Sequence, residues 1–457
     1  MLSRRHFLQG IALAAISPRT RASTRTTGGF GPLVPDPQGI LDLPAGFGYR
    51  IVSTRGDRMD DGLLVPAQAD GMAAFPGDDG NIVIVCNHEN HPALPERGPF
   101  GPGLELIGRI DPAQVYDPGA GLTPGNGGTT TIVYDPKSGA TLRRHLSLAG
   151  TEYNCAGGPT PWGSWLSCEE CFTGPGTDFA RLSVVHRDRR HGYVFEVPSS
   201  ATGPAEPVPL REMGRFEHEA AAVNPASGIV YLTEDQHQSL LYRYIPNQPG
   251  ALAQGGRLQA LAVRKKPSFD TRNWFDPRGM LPNEWMETRW IDLDDVDPDV
   301  DDLRYRGFEA GAACFARGEG LSYSDGSLFM TATIGGPSRL GQVFEYRLST
   351  ADGTRDEDRR PGQLRLLAES TSDSVLRNAD NLTMSPWGDL VICEDTATHC
   401  GLVGISPAGS QYPLADNAYT SSELAGACFS PDGKLLFVNI QERGLTLAIT
   451  GPWPSPA

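Results

Sequence analysis

The chain has 457 residues, 39% of them hydrophobic, with 55 acidic against 39 basic side chains and a formal net charge of -16 at pH 7. That balance excludes the usual nucleic-acid partner and an anionic membrane surface, both of which need clustered Lys and Arg, and it suits a protein whose carboxylates hold cations. Eight cysteines (86, 155, 168, 171, 314, 393, 400 and 428) in so long a chain are not a disulfide scaffold, although an oxidising compartment would favour Cys168 with Cys171 or Cys393 with Cys400 as a bridge.

At the N-terminus, Ser3-Arg4-Arg5-His6-Phe7-Leu8 precedes a short apolar run, Gly10 to Ser17, and then Pro18-Arg19-Thr20-Arg21-Ala22. This pattern reads as a twin-arginine export signal over residues 1–22, with a lead-in at 23–45 and the folded body at 46–457. The expectation is a periplasmic or secreted protein handled by the twin-arginine machinery. That route carries folded proteins, often ones already loaded with a metal. The apolar run is too short for a membrane span, and no second long one follows, so no stable anchor is expected.

The 54 Gly, the 38 Pro and the scarcity of helical periodicity favour many short strands joined by tight turns. A turn followed by an apolar strand recurs at Phe75 to Glu89, Pro161 to Glu170, Asn224 to Asp235, Ser324 to Ala332, Ser385 to Asp395 and Ser430 to Asn439. Partner strands such as Gly192 to Val197, Leu241 to Tyr244 and Gln342 to Tyr346 lie between the copies. Six irregularly spaced repeats predict an all-β fold, a six-bladed β-propeller with loop insertions. A β-sandwich or two stacked barrels is the alternative.

Strand ends carry the chemistry. Trp162 to Phe172 finishes on Cys168-Glu169-Glu170-Cys171, which sets a soft sulfur beside hard oxygens and hints at a mixed-metal site. Glu89 and Glu394 end equivalent strands. A second set of acids precedes the repeats: Glu219, Glu319 and Asp380 each lie five residues ahead of the turn, before Asn224, Ser324 and Ser385. Radial repetition would bring these acids into one channel, where they would repel one another unless a cation compensated them.

The twin-arginine signal, Leu-Ser-Cys168-Glu169-Glu170, Arg215-Phe-Glu-His218-Glu219, Arg317-Gly-Glu319-Gly, Asp380-Asn381 and Cys393-Glu394-Asp395 together resemble the PhoX-type alkaline phosphatase family, in order across residues 45 to 445. The resemblance implies a six-bladed propeller holding two ferric ions and calcium around a bridging oxo group and hydrolysing phosphate monoesters with a metal-bound oxygen nucleophile. Carried over by position, it makes Cys168 the iron-binding thiolate and Glu219 and Glu319 the bridging carboxylates. Glu89, Asp380 and Glu394 become calcium or mixed-metal ligands, and Arg317 the phosphate contact, whose planar fork suits two oxygens. His218, Glu169, Asn381 and Asp395 become peripheral ligands or supporting residues that orient the main ones. Glu170 and Cys171 keep a structural reading.

The alternatives are a phosphodiesterase or phytase-like hydrolase on the same metals, or a calcium-dependent lactonase or phosphotriesterase-type propeller, which would have no use for a thiolate. A monomer acting on small phosphate esters is expected. The Asp-rich run from Asp292 to Asp302 lacks the Gly and Glu of an EF-hand loop. It reads instead as part of an acidic insertion around 265–305 that would lid the channel with Trp274, Trp285 and Trp290.

Overall fold

A computed structural model describes residues 29–455 apart from 182, 277 and 278, so the export signal at 1–22 lies outside the described residues. The fold is all-β, with a single α-helix, Leu303–Glu309, among the described residues. No described helix is long and apolar enough to cross a membrane.

The strands form antiparallel meanders in chain order. Ala69–Pro76, Ile82–His88, Gly128–Asp135 and Ala140–Ala149 make the first. Leu424–Phe429, Leu436–Ile440 and Leu445–Thr450 make the last, and the early strand Gly48–Thr54 completes it, so the two ends of the chain close the structure together. The leading strand of each meander packs beside the leading strand of the next. The order runs Ala69–Pro76, Asn154–Pro159, His218–Val223, Gly318–Ser324, Ala379–Met384, Leu424–Phe429 and back to Ala69–Pro76. The result is a propeller-like ring around a central channel.

These leading strands approach so closely that side chains are excluded at contact points. A methyl group on Gly71 would sit 2.6 Å from the Cα of Ala156, and one on Gly426, at φ +64, would sit 2.2 Å from the carbonyl oxygen of Asp70. Only glycine fits both the contact and the left-handed backbone at position 426.

Each sheet buries both faces against its neighbours, which explains why the second strand of a repeat reads as a continuous apolar run rather than an alternating one. Val85 and Phe75 pack on Trp165 and Phe195. Leu166 and Val194 pack on Val230 and Leu232. Tyr231 and Ala220 pack on Met330 and Phe344. Val343 meets Ile392, Val391 meets Leu436, and Phe437 meets Ile84, which closes the circle. At roughly 1.5–3 kcal/mol for each large side chain buried, these intersheet layers are the main source of cohesion.

The acidic insertion is partly a strand. Met286–Asp292 pairs with Gly256–Val263 on one side and with Gln363–Glu369 on the other, which joins two meanders into one nine-stranded sheet. Trp285 lies against the guanidinium groups of Arg347 and Arg365, and Trp290 against Arg243 and Tyr346. Both therefore brace outer strands rather than lid the channel. The eight cysteines are unbridged, including both candidate pairs for a single bridge, Cys168 with Cys171 and Cys393 with Cys400.

Candidate active site

Each leading strand carries a β-bulge near its start. The register slips between 69 and 72, 154 and 157, 218 and 221, 318 and 321, 379 and 382, and 425 and 428. An extra residue at that point re-aims the side chain beside it, a common device next to active sites. In five of the six strands the second residue is a potential metal ligand: Asp70, Cys155, Glu219, Glu319 and Asp380. Ala425 holds the sixth place, and Glu423 lies two residues ahead of it. The residue two before the donor has φ between +47 and +57 at Gln68, Tyr153, Arg317 and Asn378, so the chain arrives at these strands through a left-handed turn.

A second row comes from the residue just past the end of each following strand. These are Glu89, Glu170, Asp235, Thr333, Asp395 and Gln441. The two rows interleave. Asp70, Glu89 and Cys155 form one group of ligand atoms within 4.8 Å of one another; Cys155, Glu170 and Glu219 form a second; Glu219, Glu319 and Asp380 a third; and Asp380, Asp395 and Glu423 a fourth. Cys155, Glu219 and Asp380 are shared, so the four groups run as one chain of donors across one end of the ring.

The electrostatics of this array are severe. Burial pushes the Glu219 carboxyl well above its usual range, and Glu319, Glu170, Asp380 and Asp70 add to the effect. Asp380 is pushed up by burial and by Glu319, Glu423 and Asp395. The Cys155 thiol is raised by burial, with Asp70, Glu219, Glu170 and Glu89 contributing, and it donates to Glu219 Oε1 at 3.4 Å. Glu219 Oε2 is buried with no hydrogen-bond partner. A buried carboxylate oxygen left unbonded among like charges is costly unless a cation meets it, so this donor set fits bound metal.

The surroundings hold the donors in place. Gln441 Nε2 donates to Asp70 at 2.6 Å and to Glu89 at 2.8 Å, and Thr333 donates to Glu319 at 2.9 Å. Arg317 grips Asp235 through Nε and Nη2, both at 2.7 Å, while Nη2 lies 2.8 Å from Glu319 Oε1. The guanidinium thus bridges the second row of one repeat and the first row of the next.

Of the ligands expected from sequence, Glu89, Glu219, Glu319 and Asp380 come together, and Asp395, expected as a peripheral ligand or a supporting residue, stands among the donors. Cys168 does not. It is fully buried among Leu166, Val194, Val230 and Tyr242, where burial alone raises its thiol. Its repeat position explains why. The equivalent residues Asn87, Thr233, Thr331 and Asn439 point into the neighbouring leading strand and donate to backbone carbonyls of Ala156, Glu319, Asp380 and Asp70 at 2.5–2.7 Å. Cys168 and Cys393 fill the same structural place.

Glu394 and Glu169, one residue further, are also outside the donor groups. Glu394 Oε1 accepts from the Arg377 N–H. Glu169 accepts from His191 Nδ1 at 2.7 Å and from the backbone N–H groups of Glu152, Gly192 and Tyr193. His218 turns away as well. Its ring stacks on Phe216 at 3.6 Å, its Nε2 meets the Gly214 carbonyl, and burial lowers it to about 3, which leaves it neutral and unsuited to proton donation. Asn381 lines the channel of about 330 Å³, further along the strands with Met72, Leu321 and Leu382. Asp70, Cys155, Glu170 and Glu423 belong to the donor groups although the sequence did not single them out as ligands.

His191 anchors the Glu169–Glu170 corner. It donates to Glu169 and, at 3.0 Å, to Asp117, while Arg187 forks onto Glu152 nearby. Burial would lower the His191 pKa, but Glu169, Glu152 and Asp117 more than reverse that and lift it from 6.5 to about 10. A raised folded-state pKa means the stabilisation is complete below about 6.5 and is lost as pH climbs through about 10. Urea midpoints are therefore expected to fall across that interval, and His191→Gln is expected to flatten the slope. An equally steep decline in the variant would show that other groups cause it.

Comparison with known proteins agrees with this geometry. The model of the family described as alkaline phosphatase PhoX matches residues 28–96 and 128–444. Among solved structures, PhoX of Pseudomonas fluorescens in complex with vanadate, a transition state analogue, superposes with a TM-score of 0.66 at 17% identity, covering 90% of this chain and 96% of that one. A gluconolactonase of Xanthomonas campestris, XC5397, aligns at 14% identity over 93% of this chain and 99% of its own, with a TM-score of 0.43. No curated protein matches significantly. With the family model spanning most of its length, the chain belongs to the PhoX alkaline phosphatase family, hydrolases of phosphoric ester bonds.

Proposed function

We propose that the protein is a metal-dependent phosphatase of phosphate monoesters, built on a six-bladed propeller whose two donor rows hold ferric iron and calcium. The observation that carries this reading is the chain of four overlapping donor groups with the partnerless Glu219 Oε2 at its centre. One thiol among eight carboxylates suits a mixture of ferric iron, which accepts a thiolate, and calcium, which takes oxygen alone. Bound cations would neutralise the donors, polarise phosphoryl oxygens and activate a water-derived nucleophile.

The chain's own residues supply the rest. Arg317, held by Asp235 and Glu319, is placed to take phosphoryl oxygens and to stabilise the charge that grows on them. Gln441 and Thr333 fix donor orientation at opposite sides of the array. Vanadate binding by the Pseudomonas fluorescens relative supports a phosphoryl-transfer site of this kind.

Elemental analysis with a visible spectrum tests the proposal: iron and calcium together, a thiolate-to-ferric band, and loss of 4-nitrophenyl phosphate hydrolysis after chelation are expected. A colourless, metal-free preparation with normal activity would sink it. The Arg4-Arg5 motif supports export in folded form to the periplasm, and recovery of the mature protein only from the cytoplasmic fraction would refute that part.

A further inference from the structure

The loop that follows strand Ser327–Ala332 bridges two carboxylates of one donor group, Glu319 and Asp380. It starts at Thr333, whose hydroxyl donates to Glu319 Oε1 at 2.9 Å and whose carbonyl accepts from Asn378 Nδ2 at 3.0 Å. It ends at Leu340, whose carbonyl accepts from the Asn378 N–H at 2.6 Å, and Asn378 stands two residues ahead of Asp380. What residues 334–339 present therefore lies on the rim of the donor array.

That loop presents a cation on an aromatic support. Trp274 donates from Nε1 to the Ile334 carbonyl at 2.7 Å, so of the three tryptophans expected over the channel it is the one that reaches this rim. Two guanidinium groups lie over its ring, Arg272 at 4.5 Å and Arg339 at 4.6 Å from the centroid. They differ in what else they touch. Arg272 forks onto Asp270 through Nε and Nη2, both at 2.7 Å, and its Nη1 donates at 3.1 Å to the carbonyl of His237, two residues past the Asp235 that grips Arg317. Arg339 is exposed, and among the described residues its guanidinium meets the Trp274 ring and no carboxylate. A guanidinium stacked on a ring keeps its N–H donors in its own plane, where they remain available to the oxygens of an anion. The contact also restricts a long side chain in advance, so less freedom is lost when an anion arrives.

We propose that Arg339 is a specificity-determining residue that takes a second phosphate group, carried on the organic part of the ester, while Arg317 takes the group that is cleaved. The inference rests on the phosphatase reading above. A net charge of -16 disfavours a substrate with two phosphates unless cations meet both of them. The two arginines stand on one stretch of rim: the Arg317 carbonyl accepts from the Thr333 N–H at 3.1 Å, and Thr333 opens the loop that carries Arg339. Trp274 is the positioning residue that holds the second guanidinium.

The test pairs alkanediol bisphosphates, from ethane to hexane, with alkyl monophosphates of the same length. In the wild type, kcat/KM for the bisphosphate is expected to exceed that for the monophosphate about tenfold at the best length, and Arg339→Gln is expected to bring the two within about twofold. Trp274→Leu is expected to remove part of the preference. Calorimetry with the matching alkane bisphosphonates, which are not hydrolysed, reads the contact without the reaction, and their affinity is expected to fall about tenfold in Arg339→Gln. No preference in the wild type, or an equal one in Arg339→Gln, would overturn the proposal, and continued hydrolysis of the monophosphates would leave the phosphatase reading in place. If the wild type hydrolyses none of these esters while bisphosphonate affinity still depends on Arg339, the anion contact stands and the phosphatase reading falls. If the affinity does not depend on Arg339 either, both fall.

Discussion

On the proposed iron and calcium site, Cys155→Ser is expected to abolish iron binding and the thiolate-to-ferric band and to lower phosphatase activity on the order of 100-fold, the upper end of the loss when residues behind a metal ligand are removed. The thiol is the only sulfur among the donor groups and belongs to two of them, one with Asp70 and Glu89 and one with Glu170 and Glu219. A serine hydroxyl at that point is a far weaker ligand for ferric iron and leaves two groups incomplete. Cys168→Ser is the matched control. It places a hydroxyl in an apolar intersheet layer, costs about 1–3 kcal/mol in stability, and keeps metal and spectrum. Elemental analysis, the visible spectrum and thermal midpoints of the two variants decide between them. Retention of iron in Cys155→Ser together with its loss in Cys168→Ser would reverse the assignment.

The all-β repeat pattern was legible because turn residues and apolar second strands recur, and the carboxylates at Glu219, Glu319 and Asp380 were legible because they keep a fixed distance from the turn. That same spacing, carried to the first repeat, points to Asp70, five residues ahead of Phe75; in the second, whose turn begins at Pro161, it points to Ala156, one residue past Cys155. The two expected ligands that fall outside the donor groups, Cys168 and Glu394, are both in the other row. Side chains of a strand alternate, so a slip of one residue moves a group to the opposite face. Glu169 and Glu394 precede the donors Glu170 and Asp395 by one residue and accept from backbone N–H groups instead, while Cys168, a full side-chain period before Glu170, still lies within the strand and packs in the intersheet layer. Nothing in a single sequence marks the register at which a strand ends. The bulge that re-aims the first row is equally silent there, since it consists of an extra residue without a fixed identity: Gly71, Ala156, Ala220, Gly320, Asn381 or Gly426.

Arg317→Ala is expected to lower kcat on the order of 10³-fold while iron and calcium remain bound, because an arginine that stabilises charge in phosphoryl transfer contributes at that scale. By the transition-state relation this is about 4 kcal/mol. The left-handed backbone of Arg317 recurs at Gln68, Tyr153 and Asn378, so it belongs to the repeat, and the proposed charge-binding role rests on how the guanidinium is held. Arg317 sits at φ +57, an unfavourable backbone for a side chain of this size, yet both its backbone groups are tied down, its N–H to the Gln236 carbonyl and its carbonyl to the Thr333 N–H. Asp235 then fixes the guanidinium plane with two bonds at 2.7 Å. In a protein of net charge -16, a phosphate dianion needs such a cation at the point of contact. Asp235→Asn provides the graded test, since it loosens the fork without removing it and is expected to cost about tenfold. Steady-state kinetics with metal analysis on both variants separates the roles. Loss of the metals in Arg317→Ala would show that Arg317 acts by holding Glu319 in place, and equal rates in all three proteins would show that it does not act on the substrate.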